Sequence, residues 1–353
     1  MKEWKRRSGW VALIVVALVV CGGGAVRADS FQLGGDRLVA TQNADGGWDY
    51  WPDSTTSQPE IHGPVGMGLA RAYQRTGDPA HLTALQKAST YLLGKTTTFS
   101  SWDGCLAATL DGILGGTANV DYVKANFYDN LAAGTYMGGY TTATYINALR
   151  TVVHTGSNAN LAAWDLGVGV VSAGSCGADM ALFVQGTKDE INELDNGLYY
   201  NVLGLAGGIY GLAYAGEDFD PTGGSHAAAS SLDDLGVILA SCQVPSTGGF
   251  TYWQGCLVPN EAEFVQETAY AMLALDELDR ERYRGELLNA GGWLTQFQLA
   301  TGGWKDSVYA GYVEDNQITG EAMWGLGRTP VIAEPGALGL LGLVVVGLRR
   351  RRR

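Results

Sequence analysis

Two glutamates stand at matching places in apolar, small-residue-rich stretches of the chain: Glu267 in Gln266-Glu267-Thr268-Ala269-Tyr270, and Glu321 in Thr319-Gly320-Glu321-Ala322-Met323. If both stretches are inner helices of one barrel, the two carboxyls point into one cavity. A pair of carboxyl groups at fixed separation, one kept protonated by burial, is what glycoside hydrolysis needs. Asp220 joins them as a third catalytic candidate, and Glu60, Asp103 and Asp218 stand at other expected helix mouths. A polysaccharide lyase would instead need a base, for which His62 and Tyr145 are candidates, and a cation or arginine to neutralise a uronate. Arginine is scarce in these stretches, whereas Asp218-Phe219-Asp220-Pro221 places two carboxylates one residue apart, a pair suited to calcium. The competing reading is structural: Glu267 and Glu321 brace neighbouring hairpins, and Asp218 and Asp220 form an acidic turn.

Aromatic residues cluster beside these acids. Gly46-Gly47-Trp48-Asp49-Tyr50-Trp51 returns as Gly248-Gly249-Phe250-Thr251-Tyr252-Trp253, and Gly302-Gly303-Trp304 opens a third copy. Aromatic faces stack on sugar rings, so Trp48, Tyr50, Trp51, Tyr252, Trp253 and Trp304 are the expected substrate-binding residues. Each copy also follows a glutamine, Gln42, Gln243 or Gln298, and weaker echoes occur at Trp102, Tyr140 and Tyr199. Glycine supplies the positive φ that a chain leaving a helix often needs, the aromatic can fold over the helix just left, and the glutamine can bond loose backbone groups. The motif therefore reads chiefly as punctuation between repeats of about fifty residues, the length of a helical hairpin.

The elements between follow from three- and four-residue apolar spacing. Inner helices are expected over 63–73, 105–114, 141–153, 201–215, 265–275 and 318–326, and more polar outer helices over 78–93, 120–131, 161–171, 232–242 and 281–297, with a loosely placed segment at 180–193. The fold class is all-α: an α/α toroid, an (α/α)6 barrel of about six hairpins.

The glutamine-glycine-glycine-tryptophan pattern resembles the QW motif of triterpene-cyclase and protein-prenyltransferase α/α toroids, and Gln266 to Leu275 resembles their inner-helix signature. The resemblance spans most of 29–328 and implies a repeat rather than an activity. Class II terpene cyclases protonate their substrate with an Asp-x-Asp-Asp motif. The nearest match, Ser231-Leu232-Asp233-Asp234, lacks the first aspartate and falls in an expected outer helix, which leaves a terpene-cyclase-like enzyme as a remote alternative. Protein prenylation needs a zinc site, and no Cys/His cluster has that spacing.

Both ends carry addresses. Residues 1–28 combine a basic start, an apolar run and Val26-Arg27-Ala28, the parts of a secretory signal peptide cleaved before Asp29. Residues 329–353 hold Ala333-Glu334-Pro335, an apolar run and five arginines, and resemble the PEP-CTERM sorting signal processed by an exosortase. The run from Gly336 to Leu348 would span about 20 Å as a helix, short of a bilayer core of about 30 Å, yet it implies membrane attachment before processing. From Asp29 to Glu334, 13 Lys and Arg face 35 Asp and Glu, a net charge near −22. Such a body repels phosphate backbones, which excludes nucleic acid as a partner. The four cysteines of the mature chain are compatible with disulfides, Cys242–Cys256 across the second aromatic motif leaving Cys105–Cys176. The expectation is an exported envelope or extracellular protein that interacts with a polysaccharide, as a hydrolase or lyase, with a non-catalytic surface scaffold as the alternative.

Overall fold

The computed structural model describes residues 30–153, 160–259, 262–307, 309 and 311–330. The expected signal peptide, and the sorting tail beyond Pro330 with its apolar run, lie outside the described residues. Among the described residues no helix is long and apolar enough to cross a membrane, so the transmembrane reading has no described element to carry it and is set aside.

Fourteen helices are described. They are α1 (30–40), α2 (His62–Thr76), α3 (Pro79–Gly94), α4 (Asp103–Leu114), α5 (Ala118–Val123), α6 (Asp129–Ala133), α7 (Thr142–Val153), α8 (Leu161–Ser175), α9 (Ala181–Glu193), α10 (Asn201–Ala215), α11 (Leu232–Ala240), α12 (Val265–Asp279), α13 (Arg284–Phe297) and α14 (Asn316–Leu326). A single π turn, Lys124–Tyr128, joins α5 to α6. The inner helices α2, α4, α8, α10, α12 and α14 each pack on the next, and α14 returns to α2, closing a ring. The remaining helices lie outside it, as an α/α toroid requires.

Small residues let the ring close. A Cβ on Gly167 of α8 would lie 1.9 Å from Gly207 O of α10, and one on Gly68 of α2 would lie 2.3 Å from Gly320 O of α14. Neighbouring inner helices therefore touch backbone to backbone, which no larger side chain would allow. Below its mouth the lumen is filled by rings: Trp102 to Trp164 at 4.8 Å, Trp164 to Tyr270 at 5.3 Å and Tyr270 to Trp324 at 6.1 Å between centroids.

One pair of elements departs from the sequence reading. Residues 161–171, expected outside, are the inner helix α8, whereas 141–153, expected inside, form the outer helix α7. The reason is packing. Almost every residue of α8 from Ala162 to Ala173 is buried, while from Thr141 to Arg150 only Ile146 is fully buried. The echo at Met137-Gly138-Gly139-Tyr140 misled the register; it is an exposed turn closed by a Tyr136–Tyr140 bridge.

The three full motifs share one bonding pattern. Gln42 Nε2 donates to Gly46 O and to Ala84 O of α3 at 3.0 and 2.9 Å. Gln243 Nε2 donates to Gly248 O and to Glu286 O of α13 at 2.9 and 2.8 Å. Gln298 Nε2 donates to Gly302 O and to Ser30 O of α1 at 2.7 and 3.0 Å. Each amide closes its own loop over a glycine at φ 94–99° and ties it to the next outer helix. Through Gln298 that next helix is α1, so the first described helix completes the last repeat.

The expected disulfides are corrected: Cys105, Cys176, Cys242 and Cys256 are all free thiols. Cys242 is sealed at the end of α11, its thiol donating to Ile238 O at 3.4 Å, while Cys256 lies in the loop beyond β1.

Candidate functional site

The motif loops run from the ends of outer helices into the starts of inner ones, so they gather at the N-terminal rim of the ring. Two are tightened by short antiparallel ribbons. Phe250–Thr251 (β1) pairs with Glu263–Phe264 (β2), and Trp304–Lys305 (β3) pairs with Glu314–Asp315 (β4). A cavity of about 400 Å³ opens at this rim, within the usual range for small-molecule sites. Its wall is aromatic, with Tyr50, Phe99, Trp102, Tyr145, Trp164 and Tyr200, and its polar groups are Glu60, Asp165, Gln266 and Gln317 together with Ser100 and Ser101. The Ser100–Trp102 stretch is held by a buried ion pair, Lys95 Nζ to Asp103 Oδ2 at 2.5 Å, and by Ser100 N donating to the same carboxylate at 2.8 Å.

Asp165 projects from the second turn of α8 into this wall. Burial alone pushes its carboxyl up to about 7, with no hydrogen-bonding or charged partner among the described residues. Near neutral pH it is shared between acid and base forms, the state a proton-transfer group needs.

Beneath the floor lies a second acidic layer. Glu321 accepts from the two floor glutamines, Gln266 Nε2 at 3.0 Å and Gln317 Nε2 at 2.9 Å, and from Tyr270 Oη at 3.3 Å. Indole nitrogen only donates. Trp102 Nε1 gives its proton to Tyr270 Oη at 2.6 Å, so the phenol proton is directed at Glu321. Burial and the nearby Asp306 and Asp315 push Glu321 up to about 8 in spite of these donors. Asp306 caps α12, accepting from Gln266 N at 3.1 Å, and burial raises it to about 7. Glu267 is buried with its Oε2 unpartnered, and burial together with Asp306 and Glu321 holds it well above the ordinary glutamate range.

The expected site residues divide accordingly. Glu267 and Glu321 come together under the cavity floor, and Tyr50 lines the wall. Tyr252 stands behind Tyr200 at 5.4 Å, and Trp51 and Trp253 are exposed around the rim. Trp48 and Trp304 are wholly buried, their indoles donating to Leu38 O and Leu294 O at 2.8 and 2.9 Å, so each lids the outer helix that precedes it. His62 is sealed against Ala88 O at 3.0 Å, and burial lowers its pKa to about 3, which keeps it neutral. Asp218 and Asp220 follow the far end of α10, about 22 Å from the rim for a fifteen-residue helix. There Asp218 caps α11 through Leu232 N at 2.8 Å. The carboxylates of Asp233 and Asp234 lie on outer helix α11, the first paired with Arg282 and the second capping Ser230, away from the cavity. Asp165 and Asp306 were missed. An ionisable residue inside the apolar run Trp164-Asp165-Leu166-Gly167-Val168 was the available signal for Asp165, because aspartate is rarely taken out of water in such a run.

The described residues bring potential metal ligands together at one place, where Asp36, Asp78 and His81 have ligand atoms within 4.8 Å of one another. They could hold a metal ion, and nothing in the set specifies calcium.

No protein-family model matches the chain, and no curated protein matches it. Solved structures do. A protein from Actinoplanes is 17% identical with a TM-score of 0.51, over 86% of this chain and 99% of that one. The type II terpene cyclase MstE from Scytonema, solved with its substrate geranylgeranyl dihydroxybenzoate, is 13% identical with a TM-score of 0.50, over 86% of this chain and 97% of that one. The chain thus has a distant, all-α fold of the terpene-cyclase and prenyltransferase type. This overturns the polysaccharide reading: the fold is shared with a terpene cyclase, and two of the six expected sugar platforms, Trp48 and Trp304, are core.

Proposed function

We propose that the chain is a terpene-cyclase-like enzyme that isomerises or cyclises an apolar, unsaturated ligand by proton transfer. The observation that carries this reading is Asp165, a carboxyl without a hydrogen-bonding partner among the described residues, raised by burial to about 7 in a cavity walled by six aromatic rings. In the reaction the Asp165 proton passes to a carbon of the ligand double bond, whose electron pair forms the new C–H bond. Ring faces around the cavity stabilise the resulting cation. The Asp165 carboxylate then takes a proton from a carbon next to the cationic centre, so atoms and charge balance without a co-reactant. Glu321, held by Tyr270 and the two glutamines, fixes the floor against which the ligand lies.

The test is incubation of the purified chain in D2O with geranylgeranyl dihydroxybenzoate and with geranylgeraniol, followed by mass spectrometry. The expected product is an isomer carrying deuterium, and Asp165→Asn lowers its formation about 10²-fold or more with the fold intact. Absence of turnover, or equal turnover by the variant, sinks the proposal and returns the chain to the scaffold alternative.

Export, with signal-peptide removal before Asp29 and exosortase processing of the PEP-CTERM-like tail, remains part of this proposal on sequence grounds. Intact mass and N-terminal sequencing of protein recovered from the producing cell test it: an N-terminus at Met1 or Lys2 refutes export by this route.

A further inference from the structure

The cluster of Asp36, Asp78 and His81 lies at the opposite end of α2 from the cavity, where α1 crosses the α2–α3 turn. His81 is wholly buried and Asp36 is 55% exposed. Gly35 lets α1 lie flat on the imidazole, since a Cβ there would come within 2.4 Å of His81 Cε1. The ring is thereby clamped, with Nε2 facing Asp36 Oδ1 at 3.2 Å and Nδ1 facing Thr76 Oγ1 at 3.1 Å.

Proton placement raises the question. The Thr76 hydroxyl has one proton, and its nearest acceptor is Ala72 O at 2.9 Å. The same oxygen already accepts from Asp78 N at 3.2 Å. With the hydroxyl proton on Ala72 O, Thr76 meets the imidazole as an acceptor, so Nδ1 carries the ring proton. Nε2 then presents a lone pair to a carboxylate, two acceptors face to face, and burial excludes water from the ring itself. Gln32 Nε2 bridges Asp36 Oδ1 at 2.9 Å and Asp78 Oδ2 at 2.8 Å, holding the two carboxylates side by side. Each carboxylate thus has a donor, and Nε2 is the group left without one; a cation between Nε2 and Asp36, either a proton or a metal ion, removes the conflict.

We propose that Asp36, Asp78 and His81 bind one divalent transition cation that fastens α1 to the α2–α3 hairpin. One imidazole and two carboxylates suit zinc or manganese, whereas calcium takes oxygen ligands. A histidine whose second nitrogen donates to a fixed acceptor, here Thr76, has its metal-binding tautomer set in advance. The exposed side of Asp36 gives the ion an entry path, and a small turn of that side chain brings the ligands to the roughly 2.0–2.2 Å a zinc ion takes. Two arrangements need no metal: the Thr76 hydroxyl turned to Nδ1 with Nε2–H donating to Asp36, or an imidazolium donating to Thr76 and Asp36 at once.

The experiment uses the full-length chain, freed of metal by a chelator and titrated with Zn2+ and separately with Mn2+ by calorimetry. One equivalent of either ion is expected to bind. Asp36→Asn, at an exposed position, weakens binding about 10–100-fold, and His81→Gln abolishes it, with helicity unchanged in both. In the Zn2+-saturated chain labelled with ¹⁵N-histidine, His81 should carry its proton on Nδ1. Three results overturn the proposal: no saturable binding, equal affinity in Asp36→Asn, or a proton retained on Nε2 at saturation.

Discussion

Replacing Gly167 by alanine gives opposite results for the two places that α8 can occupy. In an exposed helix interior, glycine to alanine stabilises by about 0.5–1 kcal/mol because the unfolded chain loses freedom. In the closed ring, the added Cβ would stand 1.9 Å from Gly207 O and 2.4 Å from Gly207 C, both backbone atoms of a helix that cannot rotate away. Relief requires α8 and α10 to separate by about 1 Å, and the same movement would open the seam at Gly211, whose own Cβ would lie 2.4 Å from Gly167 O. Overpacking of this kind costs about 1–3 kcal/mol, with the upper end fitting a backbone clash, so a net loss of about 2 kcal/mol remains after the propensity gain. The assay is the urea midpoint of Gly167→Ala beside Gly292→Ala, an α13 position with nothing within 4 Å of the added Cβ. Gly292→Ala should raise the midpoint and Gly167→Ala should lower it. A rise in both would refute the inner placement of α8 and, with it, the position of Asp165 in the cavity.

Other outcomes follow from the same geometry. Gln298→Ala removes two hydrogen bonds, one of them to Ser30 O in α1, and should cost about 2 kcal/mol in urea unfolding; no change would mean that the first helix is not tied to the last repeat. Asp165, Asp306 and Glu321 are pushed up to about 7, 7 and 8 and Asp315 to about 6, whereas unfolded carboxyls titrate near 4. Between pH 5 and 8 these four carboxyls bind more protons in the folded chain and outweigh His62 and His226, whose lowered values act the other way below about 6.5, so stability should fall as pH rises through that window; a higher urea midpoint at pH 8 than at pH 5 contradicts the raised values of these acids. Tyr270→Phe removes the acceptor of Trp102 Nε1 and one donor of Glu321, and should cost about 1–3 kcal/mol, read as a lowered urea midpoint with the secondary structure kept. Thiol titration of the denatured chain after blocking any exchange should find Cys105, Cys176, Cys242 and Cys256 all reactive; fewer would restore a disulfide.

What could be read from sequence was what the backbone itself dictates. A glycine at positive φ, a glutamine with two carbonyls in reach and an aromatic lid recur at Gln42, Gln243 and Gln298 because each repeat poses the same local problem, so the motif and the toroid were legible. Glu267 and Glu321 were found for the same reason, standing at equivalent places in adjacent repeats. The exchange of α7 and α8 was legible but missed: 161–171 is a nearly unbroken run of apolar and small residues, whereas 142–153 carries Thr142, Thr144, Asn147, Arg150 and Thr151, and the echo at 137–140 set the register instead. Asp165 was lost with that exchange. Asp306 was hidden differently: it caps α12 from a loop some forty residues further along the chain, a pairing that no local spacing announces.

Since α1 stands as the outer helix of the final repeat, held there by Gln298, the number of repeats is locked. An open solenoid can lengthen or shorten by one unit and remain a solenoid. Here a duplicated or deleted hairpin would pull the two halves of the last unit apart, so length variation in relatives of this chain should fall in loops and ends. The same feature sets an order on assembly. Helix α1 leaves the ribosome early and cannot find its glutamine until 268 residues have followed Ser30, so the seam it makes with the last repeat is the last joint to be made.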